Sequence, residues 1–174
     1  LGASNPMVID YASEHRTDFL DIYLAANCRF FLTSGTGIDS VATIFRRPVA
    51  YANYIPIGYF PSWGTDDLFV PKKLWLAGEN RFMKFRQVLD WGAQRLGRTQ
   101  DYQVAGIEPV ENTPEEITAV AMEMDERLKG TWRNTKEDEE LQSRFWSLFK
   151  PHELEGVSLP NVGAEFLRQN KDLL

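Results

Sequence analysis

CRFFLTSGTGIDSVATIFRRPVAYAN, residues 28–53, reads as strand, glycine turn, helix and second strand. Cys28 to Leu32 is short, apolar and aromatic-rich, as a strand buried in a parallel sheet is. Ser34, Gly35, Thr36 and Gly37 then combine small side chains with tolerance of positive φ, so a tight turn there brings backbone amides within reach of a ligand. A helix expected from about Ile38 to Phe45 follows directly. Its N-terminal amides and the positive end of its dipole favour a diphosphate or carboxylate above the turn. Arg46, Arg47 and Pro48 end that helix, and Val49 to Asn53 reads as the next strand. The order is half of a nucleotide-binding βαβ unit, although glycine turns of this kind also occur where nothing binds. Neither GxGxxG nor a closing Gly-Lys-Ser/Thr is present, which disfavours a nicotinamide cofactor and ATP hydrolysis.

Upstream, Met7 to Asp10 reads as a strand, and Thr17 as the N-cap of a helix over Asp18 to Asn27. The first third is then expected to run β-α-β-α-β. Downstream, YIPIGYFPSW (Tyr54 to Trp63) is an aromatic loop leaving the ligand-binding end of a strand. It either walls a base or sugar or plugs the core beneath it. Asp67 to Leu76, broken by Pro71, reads as an edge strand or irregular connection. Lys72 and Lys73 read there as a solvated pair, with a ligand counter-charge as the alternative. Lys84 to Leu96 has near-helical apolar spacing and stops at Gly97.

Asn112-Thr113-Pro114-Glu115-Glu116 is the clearest helix start. Thr113 is the N-cap, Pro114 the first helical residue and Glu116 the partner in a capping box. That helix should reach Lys129 and bury Ile117, Val120, Ala121, Met124 and Leu128. Glu111, just before it, either holds ribose hydroxyls or caps backbone. Thr135 opens a further helix whose Glu137-Asp138-Glu139-Glu140 run reads as a solvated first turn, not a metal site. Pro151 ends it. A linker reaches Pro160, and Gly163 to Leu174 forms a last short helix.

The 174 residues fit one domain, and 43% hydrophobic with 13% aromatic content suffices for a packed core. A net charge of -6 argues against a nucleic-acid surface. The lone Cys28 excludes an internal disulfide framework and fits a reducing, cytoplasmic setting as a small buried hydrophobe. No apolar run approaches the ~20 residues that cross a bilayer. HExxH, CxxC and GxSxG are absent, so a zinc enzyme or serine hydrolase is disfavoured. His15 is the one histidine near the turn, either a donor or base there or an ordinary loop residue. The chain opens at Leu1 without a Met, which leads us to expect a piece of something larger.

TSGTGIDSVATIFRRPV is similar to the donor-half signature of GT-B glycosyltransferases, in which a strand ends in Ser-Gly, a helix begins and Pro-Val starts the next strand. Heptosyltransferases and non-hydrolysing sugar-nucleotide epimerases show related versions. More closely, VIDYASEHRTDFLDIYLAANCRFFLTSGTG, RRPVAYANYIP, ENTPEEI, LQSRFW and GAEFLRQN resemble, over nearly the whole chain, a bacterial family of GT-B-type glycosyltransferases.

The resemblance implies an α/β, Rossmann-like parallel sheet of the GT-B donor-domain type, as a single domain over 1–174 with a helical C-terminal portion over 113–174. It implies that Ser34, Gly35, Thr36 and Gly37 hold the diphosphate of a nucleoside-diphosphate sugar. Asn53 and Tyr54 would lie near the sugar or base, and Glu111 and Asn112 near ribose or sugar hydroxyls. Leaving-group charge would be met by helix amides and by Arg46, Arg47 or His15 without a metal or other cofactor. The acceptor half of such enzymes has no counterpart, so the partner is an N-terminal domain or a second copy. The alternatives are a sugar-nucleotide epimerase or hydrolase, and a non-catalytic nucleotide- or partner-binding module.

Overall fold

The computed structural model describes residues 5–64 and 66–174. Helix α1 (Tyr11–Glu14) is a single turn capped by Asp10. Helix α2 (Asp18–Asn27) begins where the Thr17 hydroxyl accepts from the Leu20 amide at 3.1 Å, at the boundaries its sequence predicts. The strand expected around Val8 does not form. Met7, Val8 and Ile9 lie exposed in irregular backbone, and no neighbouring strand takes up their amides and carbonyls. The opening is therefore α-α-β-α-β.

Strand β1 (Phe31–Thr33), helix α3 (Asp39–Ile44) and strand β2 (Val49–Tyr54) form the βαβ unit read from residues 28–53. Strand β3 (Leu68–Pro71) follows after a crossover that holds, among the described residues, a single regular piece, a 3₁₀ turn at Ile57–Tyr59. Next come strands β4 (Lys73–Leu76) and β5 (Arg81–Phe82), helix α4 (Phe85–Asp90), a 3₁₀ turn at Ala93–Arg95, helix α5 (Thr99–Val104) and strand β6 (Ile107–Val110). The last third holds helices α6 (Pro114–Lys129), α7 (Lys136–Trp146) and α8 (Pro151–Leu154), strand β7 (Asn161–Val162), helix α9 (Ala164–Gln169) and a 3₁₀ turn at Lys171–Leu173.

The chain is an α/β protein built on a four-stranded parallel sheet in the order β1-β2-β3-β7, a Rossmann-like arrangement. Phe31 lies opposite Val49, Ala50 opposite Leu68, and Phe69 opposite Val162. Three expectations are corrected here. Residues 28–32 do not form a buried strand: β1 starts at Phe31, has a neighbour on one side only, and leaves Leu32 exposed. Leu68–Pro71 is neither edge nor irregular but an interior strand, buried throughout. Pro71 is tolerated because it ends the strand, where a missing amide interrupts no ladder. The supposed linker before Gly163 contributes β7, which pairs with β3.

A second, antiparallel sheet in the order β5-β4-β6 was not expected from the sequence. The helix predicted over Lys84 to Leu96 breaks at Gly92, whose left-handed backbone (φ 75°) ends α4 and admits the 3₁₀ turn. One buried core joins both sheets and the helices. At its centre Phe145 packs edge-on to Phe69, Phe85 and Trp146 with ring centroids 6.1, 5.4 and 5.1 Å apart.

Candidate functional site

The turn after β1 is exposed from Ser34 to Gly37. Buried Thr33 closes it from beneath, its hydroxyl accepting from the Gly35 amide at 3.1 Å. Gly35 and Gly37 adopt φ of 80° and 89°, and a side chain at either would meet nothing within 4 Å. Left-handed backbone explains why glycine stands at both positions, and the space above them is open. The amides of Thr36, Gly37 and Ile38 have no acceptor among the described residues. Helix α3, with six residues, is shorter than two turns, so local amides outweigh its dipole.

Asp39, the first residue of α3, is the neighbour that sequence reasoning missed. Its Oδ1 is buried with no hydrogen-bond partner among the described residues. Burial, and then the Asp39 charge, push the Tyr54 phenol up to about 12. The Tyr51 phenol is raised first by burial, with Asp67 and Asp39 adding to it. The turn is thus flanked by an acceptor short of a donor and by two phenols held protonated. Carboxylates in a first helical turn usually serve the helix, so spacing alone gives no sign of this one.

The other expected site residues are placed as follows. Asn53, with φ 56°, sits at the irregularity in the β2–β3 register, and its amide donates to Asn112 Oδ1 at 2.5 Å. The Asn112 amide donates back to Asn53 Oδ1 at 2.5 Å, and Asn112 Nδ2 donates to the Pro71 carbonyl at 3.0 Å. These two asparagines clasp the end of β2 to the start of α6. Tyr54 packs edge-on to Tyr51 and Phe69, and its hydroxyl donates to the Tyr59 carbonyl. Glu111 is exposed and pairs with Lys72 at 2.6 Å, while Lys73 pairs with buried Glu116 at 2.8 Å. Lys72 and Lys73 are therefore ion-paired, not a solvated couple.

Arg46 and Arg47 stand past the C-terminal end of α3, a helix length from the turn, and Arg47 Nε donates to the Ala26 carbonyl at 2.7 Å. His15 caps α1, exposed, with Nε2 3.7 Å from the Glu14 carboxylate. Cys28 is half-buried, donates to the Ala25 carbonyl at 3.2 Å, and burial raises its thiol. The structure therefore brings Ser34 to Gly37 together as one turn, with Tyr54 close enough to feel the Asp39 charge, and Asn53 with Asn112, but does not gather Arg46, Arg47 or His15 around them.

The aromatic loop plugs the core with only part of its side chains. Phe60 plugs the core, edge-on to Trp146 and Phe149 at 4.9 and 5.6 Å, whereas Tyr59 and Trp63 remain exposed on the wall of a cleft of about 460 Å³. Among the described residues no cluster of His, Cys, Asp and Glu could hold a metal ion, and no helix is long and apolar enough to cross a membrane. The sequence matches no protein-family model, and comparison with curated proteins and with solved structures gives no match.

Proposed function

We propose that this chain is the nucleotide-sugar-binding half of a GT-B-type glycosyltransferase, acting in the cytoplasm on a nucleoside-diphosphate sugar. The observation that carries the reading is the open glycine turn after β1, with three amides lacking an acceptor and free space above both glycines. A diphosphate over this turn accepts from the Thr36, Gly37 and Ile38 amides, and these fixed donors stabilise the charge that develops as the sugar–phosphate bond breaks. Arg47 anchors the end of α3 through the Ala26 carbonyl, so in this reading the leaving-group charge falls chiefly to the turn amides. The acceptor side is supplied by another domain or a second copy.

Calorimetry with UDP-, GDP- and ADP-sugars tests this. The unmodified chain binds at least one donor, and Gly37→Val weakens that binding at least tenfold. The variant remains folded, since no neighbouring atom is struck and the positive φ costs a branched residue about 1–2 kcal/mol. A wild-type chain that binds none of the three, or a folded variant that binds as wild type does, removes the proposal. A second reading, a non-catalytic binding module, is favoured by the lack of a paired acid and base among the site residues: Glu111 is taken up by Lys72. Donor binding without sugar transfer, even when the cognate acceptor domain is added, selects it.

A further inference from the structure

Two exposed aromatic rings stand beside a polar cluster at the cleft of about 460 Å³, a volume within the usual ~300–1,000 Å³ of small-ligand sites. Trp63 is 79% exposed and Tyr59 63% exposed, although large rings of this kind normally gain by burial. The opposite side is formed by Gln94 and Arg95 of the 3₁₀ turn and by His152 and Glu153 of α8. Two contacts tie the loop to its neighbours. Gly58 lies so close to the 93–95 turn that a Cβ there would be 2.6 Å from the Gln94 carbonyl, and Phe60 anchors the loop in the core.

The chemistry of the lining restricts the occupant. Arg95 Nη2 and Glu153 Oε1 are 3.5 Å apart, so the cleft presents a guanidinium and a carboxylate together. An anionic ligand meets Glu153 and a cationic one meets Arg95, whereas a neutral ligand rich in hydroxyls satisfies both. A vicinal diol donates to the carboxylate and accepts from the guanidinium, and His152 offers a further donor or acceptor. Gln94 also lines this cleft, with its Oε1 buried and without a partner among the described residues. The exposed rings supply flat faces for the C–H surface of a pyranose, and an open groove suits a chain of such rings better than the enclosed slot that holds a base.

We infer that this cleft binds a neutral oligosaccharide, with Trp63 and Tyr59 as stacking platforms and the Arg95–Glu153 pair reading adjacent hydroxyls. The site is separate from the turn at Ser34 to Gly37, none of whose residues lines it. It therefore stands or falls independently of the donor assignment.

The test titrates the full chain with cellohexaose, maltohexaose, xylohexaose and chitohexaose, following tryptophan fluorescence and backbone amide shifts, with UMP and AMP as competitors. At least one saccharide shifts residues around Tyr59, Trp63 and Glu153. Trp63→Ala weakens its binding at least tenfold, Arg95→Ala does the same, and Gly37→Val leaves it unchanged. The side chains of Trp63 and Arg95 are exposed, so both substitutions keep the fold, which far-ultraviolet dichroism verifies. The inference is overturned if no saccharide shifts these residues, if binding survives Trp63→Ala, or if UMP or AMP takes the cleft in preference. Loss of self-association in Trp63→Ala without any saccharide effect also overturns it, by making the rings a protein contact.

Discussion

Asn112 is 6% exposed, and its side chain joins two segments of backbone and a carboxylate: its oxygen accepts from the Asn53 amide, and its nitrogen donates to the Pro71 carbonyl and approaches the Glu116 carboxylate at 3.5 Å. Asn112→Ala leaves a buried amide and a buried carbonyl without partners, which costs about 2–3 kcal/mol in a urea melt. A loss below the error of such a melt would show that water replaces the clasp. The residue also marks the limit of what the sequence reveals about the site. A polar residue at a strand end and another before a helix both resemble ligand contacts, because each is read with only its near neighbours in view. Their bonds to each other span 59 positions, and nothing local records them. The turn at Ser34 to Gly37 was legible because its requirement, positive φ beside small side chains, is local. Asp39 and the residues of the aromatic cleft were not, since they meet only after distant segments pack.

Among the elements, α6 was the most legible. Thr113 accepts from the Glu116 amide at 3.2 Å, and the Glu116 carboxylate accepts from the Thr113 amide at 2.9 Å, so every residue of the capping box lies within one turn. Thr113→Ala should lower stability by about 0.5–2 kcal/mol in denaturant melts, and an unchanged midpoint would remove the cap from the account. Strand β7 was illegible because two residues carry no periodicity, and the antiparallel sheet because pairing partners lie far apart in the chain. The acidic run opening α7 was half legible. Glu139 and Glu140 are exposed, but Asp138 is buried, accepts from Thr135 and pairs with Arg168 of α9. Glu123 of α6 holds the same helix from the other side, accepting from the Ala164 amide at 2.8 Å and from Arg127. These two carboxylates respond to acid with opposite sign. Burial raises Glu123 despite its donors, so the fold gains stability as pH falls through that raised value toward the unfolded ~4.3. Burial also pushes Asp138 up, but the Thr135 donors and Arg168 outweigh it and hold it low, so its contribution is present above ~3.9 and is lost as pH falls further. Urea midpoints should thus rise on mild acidification and drop below about pH 4. Glu123→Gln lessens the rise, the remainder being left to buried Asp67, whose carboxyl is raised as well, and Asp138→Asn lessens the drop; a pH profile identical to wild type in both variants would place the titration elsewhere.

At the scale of the molecule, the sheet is covered at its β7 side and open at β1. The Phe31 amide donates to the Pro48 carbonyl at 2.9 Å, so strand alternation turns the next amide, Leu32, toward the open edge. Phe19, Ile22 and Tyr23 of α2 and the segment at Met7 to Ile9 are exposed as well. In a monomer, hydrogen exchange at Leu32 is fast while the interior amides of β3 exchange only with global unfolding. Protection of Leu32 that appears only at high protein concentration, together with a doubled mass by light scattering, would show a second copy on this edge. The parallel α/β architecture was legible from the one βαβ unit, whose strand and helix periods lie within 26 consecutive residues. Strand order was not, because it depends on where the last strand returns. That return has a consequence for biosynthesis. Strand β3 ends at Pro71, yet its neighbour β7 begins only at Asn161, so everything between them must leave the ribosome before Leu68, Phe69 and Val70 are walled in on that side. Until then the nascent protein carries this apolar strand with an open flank, and the residues before it have no finished sheet on which to settle. Asn161 and Val162 thus close a sheet begun far upstream, and a chain stopped before them leaves β3 with an exposed flank that invites aggregation.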